Sequence, residues 1–161
     1  MSNDSVVIVA ARRTPMGAFQ GALAAVSAPQ LSATACRAAI ADSGLDGAEI
    51  SEILLGCVLP AGLGQAPARQ AAIAADVPLG VPCTTVNKVC GSGMKTTMLG
   101  HDLIVAGSAD IVMTGGMESM TNAPYLLPKA RGGMRMGHQE VLDHMFFDGL
   151  QNPYDGNMMG H

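Results

Sequence analysis

Hydrophobic positions in this chain fall into short β-branched runs and alanine-rich helical stretches, with glycine and proline at the joints. Residues 6–11 are continuously apolar (Val-Val-Ile-Val-Ala-Ala), which predicts a strand buried on both faces. Residues 12–28, interrupted by Pro15, Gly17 and Gly21, predict a loop. Pro29 suits the first turn of a helix, and helical spacing over 31–43 stops at Gly44. A second strand is predicted over 52–58. A turn at 62–65 then leads into a helix with Pro67 near its start and 68–75 as its body. A third strand over 84–89 feeds a helix from Cys90 to about Ala106, and a fourth over 110–114 opens into Gly115-Gly116-Met117-Glu118-Ser119-Met120.

Strands alternating with helices predict an α/β fold, with a mainly parallel sheet and helices on both faces. Sites in such sheets lie at the carboxyl ends of strands, where the two most distinctive motifs fall. Beyond residue 120 the character changes. Residues 121–161 carry Pro124, Pro128 and Pro153 among many glycines and methionines. They predict a loop-rich segment with at most one short helix near 139–147. The chain thus divides into 1–120 and 121–161, and it reaches His161 without a closing element, as a cut chain would.

Composition narrows the function classes. Hydrophobic residues make up 48% and charged residues 14%, against about 25% charged in an average globular domain. So little charge implies either thorough burial or a face meant for a partner. A net charge of −4 gives no electrostatic case for nucleic acid or acidic membranes. No segment is long enough to span a bilayer, and residues 6–11 are too short for a secretory signal. Cys36, Cys57, Cys83 and Cys90 form no CxxC pair and have no histidine at metal spacing. They are expected to be reduced thiols of a cytoplasmic protein.

One cysteine stands apart. Cys90 lies in Asn87-Lys88-Val89-Cys90-Gly91-Ser92-Gly93-Met94-Lys95, between a strand and a helix. The free N–H groups and dipole at a helix start favour an anion, and the thiolate is the nucleophilic form of cysteine. Gly91 and Gly93 permit a tight turn and close approach of a substrate to the backbone. Cys90 is the candidate nucleophile, whereas Cys36, Cys57 and Cys83 are expected to be packing residues.

Four motifs together resemble the thiolase family. They are Arg12-Arg13-Thr14-Pro15, Gly64-Gln65-Ala66-Pro67-Ala68-Arg69-Gln70, the Cys90 motif, and Gly115-Gly116-Met117-Glu118-Ser119-Met120. The likeness covers essentially the whole chain but only the N-terminal part of the family's sequence. It implies a half-domain lacking its last strand, followed by the start of a loop domain for CoA binding and subunit contacts. It also implies acyl transfer from acyl-CoA to Cys90, then condensation of two acetyl-CoA to acetoacetyl-CoA or the reverse thiolysis. No cofactor is implied, because coenzyme A is part of the substrate. A dimer or tetramer is implied for the intact enzyme.

The resemblance places the activating histidine, a second cysteine and an oxyanion asparagine beyond residue 161, so the chain alone is expected to be inactive. Lys129, Arg131 and Arg135 resemble a basic loop near the CoA nucleotide of a neighbouring subunit. Leu150, Met158 and Met159 resemble the segment lining the pantetheine channel, with Met158 standing where many relatives have histidine. Glu118 stays open between a solvated charge at a turn and a residue shaping the pocket. Gln65 and Arg69 are expected to be structural, and His101, His138, His144 and His161 to be surface or helix residues. Three other readings remain: a non-catalytic fragment acting by association, a degradative 3-ketoacyl-CoA thiolase, and a decarboxylating ketoacyl synthase.

Overall fold

A computed structural model describes residues 5–159. The first helix, α1 (Ala28–Ser43), opens on a capping box in which Ser27 and Gln30 satisfy each other's backbone N–H. It closes at Gly44 in the left-handed region, φ 71°. Then follow β1 (Glu52–Gly56), α2 (Pro67–Ala74), β2 (Cys83–Val86), α3 (Ser92–Val105) and β3 (Val112–Gly116). The strands form one parallel sheet in the order β2-β1-β3, with Ile53 opposite both Cys83 and Met113.

Period-two alternation along β1 divides the layers. Ile53, Leu55 and Cys57 face a core completed by Ala28, Ala33 and Cys36 of α1 and by Ala68, Ala71 and Ala72 of α2. Alanines let the two helices approach closely, and burial of Ile53 and Leu55 contributes on the order of 2–3 kcal/mol each. The alternate residues, Leu54 and Gly56, turn toward α3, where a Cβ on Gly56 would lie 2.6 Å from Ser92 Cβ. The parallel sheet therefore carries helices on both faces. Arg69 bears out its structural reading, since Nη1 and Nη2 donate to the Val81 and Leu79 carbonyls at 2.6 and 2.5 Å.

The expected strand over 6–11 is a correction. This run joins no sheet, and Val7, Ile8 and Val9 are 68%, 81% and 61% exposed. An apolar run states a demand for burial, but a strand also needs a neighbour for its N–H and C=O groups. Among the described residues, none lies alongside it. The expected helix near 139–147 is also different. Leu142–Asp143 (β5) pairs antiparallel with Tyr125–Leu126 (β4), and Met145–Leu150 winds as a π-helical turn.

Candidate active site

The site is built where β1, β2 and β3 end. Between β2 and α3 the chain reverses within residues 87–92. Asn87 Oδ1 accepts the Val89 N–H at 2.9 Å, and Ser92 Oγ accepts the Lys88 N–H at 2.8 Å. Ser92 Oγ also donates to the Val89 carbonyl at 2.6 Å. These bonds hold Val89 at φ 48°, a left-handed conformation that costs a β-branched residue on the order of 1–3 kcal/mol. Such strain persists only where the surroundings enforce it, and here it lifts Cys90 out of the turn, exposed, two residues before α3 begins.

The start of α3 is pressed onto the strand ends. Thr96, fully buried, places its hydroxyl 2.7 Å from the Gly93 carbonyl and 2.8 Å from the Gly115 carbonyl, and accepts the Gly115 N–H at 3.2 Å. Cys90 opens onto a cavity of about 390 Å³. Val58 and Leu59 line it from beyond β1, Met117, Glu118 and Met120 from beyond β3, and Gly149 and Leu150 from the π-helical turn. Glu118 is half-buried and acts as a clamp. Its two oxygens accept the Val58 and Leu59 N–H groups at 2.9 and 3.1 Å, joining the exits of β1 and β3. The alternative left open by the sequence therefore falls on the side of the pocket wall. The arrangement combines an accessible thiol at a helix start with a mostly apolar cavity, suited to covalent attack on a bound carbonyl group.

The model of the thiolase N-terminal domain matches residues 6–161. The chain belongs to the thiolase family. It is 51% identical over 157 residues to an acetyl-CoA acetyltransferase of Pseudomonas aeruginosa, covering 98% of this chain and 40% of that protein. It is 47% identical over 161 residues to an acetyl-CoA acetyltransferase of Schizosaccharomyces pombe, covering 100% and 41%. With acetyl-CoA acetyltransferase 1 of Arabidopsis thaliana, identity is 49% over 165 residues, covering 99% and 40%. The chain thus spans about two-fifths of the length of the curated relatives it matches.

Within this thiolase N-terminal region the candidate residues separate into two groups. Cys90 and Leu150 share the cavity. Met159 lies next to it in the chain's hydrogen bonding, donating its N–H to the Leu150 carbonyl at 2.7 Å, with its side chain half-exposed. Met158 pairs with Gln151, is about one-third exposed, and does not line the cavity. Lys129, Arg131 and Arg135 are exposed around a short 3₁₀ turn, Ala130–Gly132, and do not line the cavity. Sequence reading missed Val58 and Leu59 as wall residues and missed the burial of His144. The signal for His144 was present: His144 and Asp148 stand at i and i+4, a spacing that brings side chains together on a helical turn. His161 lies outside the described residues.

The other cysteines carry no site geometry. Burial raises the Cys36 thiol above its ordinary value. Burial, and then the negative charge of Glu118, push Cys57 up from 9.0 to about 11. The raised value has a testable sign. Between pH 9 and 11 the unfolded chain loses this proton while the folded one keeps it, so Cys57 stabilises the fold fully below pH 9 and progressively less up to pH 11. A loss on the order of 2 kcal/mol is expected across that window. It should appear as a falling urea midpoint in the wild type and be largely absent in Cys57→Ala measured against its own pH 8 value.

Proposed function

We propose that this chain supplies the nucleophile of a thiolase acting on acyl-CoA, forming an acyl-thioester on Cys90. The observation that carries the reading is the strained turn at Val89, which holds Cys90 at the mouth of an apolar cavity. The thiolate attacks the thioester carbonyl, a tetrahedral oxyanion forms, and the CoA thiolate leaves and takes up a proton. The Cys90 backbone N–H, just ahead of α3, would donate to that oxyanion, and one such donor is worth about 3 kcal/mol. In condensation, the second cysteine implied by the resemblance takes an α-proton from a second acetyl-CoA, and the resulting carbanion attacks the acyl carbonyl and expels the Cys90 thiolate. Thiolysis of acetoacetyl-CoA is the reverse. Dividing the reaction this way replaces one difficult step with two easier ones.

Among the described residues the cavity lining holds no histidine, and we propose, as the family resemblance implies, that the base activating Cys90 comes from the part corresponding to the relatives' remaining length. The isolated chain is therefore proposed to be inactive. Names of the relatives at about 50% identity favour acetyl transfer over longer acyl chains. Lys129, Arg131 and Arg135 are proposed to attract the CoA phosphates, and Leu150, Met158 and Met159 to flank the pantetheine arm. We further propose a dimer or tetramer without a bound cofactor in the cytoplasm, where the four free cysteines would stay reduced. The test is peptide mass spectrometry after mixing the intact enzyme with acetyl-CoA. One acetyl group is expected on the peptide carrying Cys90; an unmodified Cys90 would overturn the reading.

A further inference from the structure

The segment beyond β1 that lines the cavity with Val58 and Leu59 and continues to Ala61 is tied to the rest of the site through a histidine. His144 is 4% exposed, and its backbone N–H donates to the Pro124 carbonyl at 3.2 Å. Its ring has two partners. Nδ1 lies 2.5 Å from Asp148 Oδ2, and Nε2 lies 3.4 Å from the backbone nitrogen of Ala61. An amide N–H can only donate, so Nε2 carries the lone pair and the proton sits on Nδ1, where the carboxylate accepts it. The ring thus bridges the π-helical turn to the segment beyond β1.

That turn is the part of the chain that delivers Gly149 and Leu150 to the cavity. A Cβ on Gly149 would lie 3.2 Å from Leu59 Cδ2, so turn and wall are already in van der Waals contact. π-Helical turns are rare and gather at functional sites. Leu59 itself is held by Glu118 from the other side. The wall therefore has two anchors, Glu118 beyond β3 and His144 at the turn.

We propose that His144 is a positioning residue of the acyl-CoA site: with Asp148 it holds the turn carrying Gly149 and Leu150 against the Leu59 wall and so fixes the width of the substrate channel. The proposal rests on the acyl-transfer reading above. His144 does not line the cavity, so it acts through Leu59 and Leu150. Those side chains would touch parts of the substrate that do not react and contact the ground state and transition state alike. Loss of such uniform binding raises KM and leaves kcat unchanged.

The test uses thiolysis of acetoacetyl-CoA by the intact enzyme. His144→Phe keeps a planar ring but leaves the Ala61 N–H and the Asp148 carboxylate without their partner. KM is expected to rise about tenfold with kcat within about twofold. His144→Gln, whose amide oxygen can accept the Ala61 N–H, is expected to restore KM to within about threefold of wild type. Asp148 is 43% exposed at its side chain, so Asp148→Ala is expected to fold even where His144→Phe does not, and it should show the same rise in KM. An unchanged KM in the folded variants, or a kcat that falls while KM holds, overturns the proposal. Mass analysis of Cys90 separates the two readings. A missing acyl adduct in the wild type sinks the acyl-transfer reading, whereas an adduct with unchanged KM in the variants sinks only the role of His144.

Discussion

Cys90→Ser in the intact enzyme is expected to lose at least about 10³-fold in thiolysis while its folding free energy changes by less than about 0.5 kcal/mol. The two halves of this expectation come from different features. Cys90 is exposed, and the turn that presents it is braced by Asn87 and Ser92 rather than by the sulfur. Substituting oxygen for sulfur therefore leaves the strain at Val89 and the docking of α3 as they are. The chemistry changes much more. A serine hydroxyl is a far weaker acid than a thiol and a poor nucleophile even with a base aligned to it, whereas a base readily converts a thiol to the strongly nucleophilic thiolate. Initial rates alongside a urea titration decide the matter. A serine variant retaining a tenth of the wild-type rate would show that Cys90 is not the attacking group.

How much of this was legible in the sequence depended on whether the signal was local. The helix start at Pro29, the stop at Gly44, the order of β1, α2, β2, α3 and β3, and the parallel sheet all follow from short-range spacing. Residues 6–11 misled because apolar character reports a need for cover and says nothing of which strand provides it. The fourth strand was expected over 110–114 but runs Val112–Gly116. Ser51 Oγ accepts the Asp110 and Ile111 N–H groups, so these two N–H groups bond a side chain instead of the ladder. At the other end Gly115 and Gly116 look like turn residues, yet they pair with Leu55 and Gly56 in the sheet, where small size lets α3 approach. In the site, Cys90 carried a local signature of strand, glycine step and helix. Glu118 did not, and the i, i+4 spacing of His144 and Asp148 showed only half of what His144 does, because each acts on backbone N–H groups more than fifty residues away, a pairing that only the folded chain reveals.

Gly56→Ala is the substitution expected to do the greatest damage to both stability and activity without touching a reacting group. A Cβ there would lie 2.6 Å from Ser92 Cβ, 2.8 Å from the Ser92 carbonyl carbon and 2.9 Å from Gly93 N. Two of those atoms are backbone, so no rotamer change can relieve the contact, and the start of α3 must lift. Overpacking of this kind costs about 3 kcal/mol. The lift also reaches the nucleophile. Ser92 Oγ holds both the Lys88 N–H and the Val89 carbonyl, so moving Ser92 loosens the turn that keeps Val89 left-handed and Cys90 presented. A misplacement on the order of 1 Å at a reacting group costs about 10²-fold, and a loss of that size in kcat/KM is expected under conditions where the variant remains folded. Gly80→Ala provides the contrast. Gly80 has no atom within 4 Å of its would-be Cβ and no positive φ, so alanine should leave the rate alone and stabilise by about 0.4–1 kcal/mol through the unfolded chain. Should the two variants behave alike in urea titration and in initial rate, α3 would not be pressed onto β1, and the placement of Cys90 would need another cause than the missing side chain at Gly56.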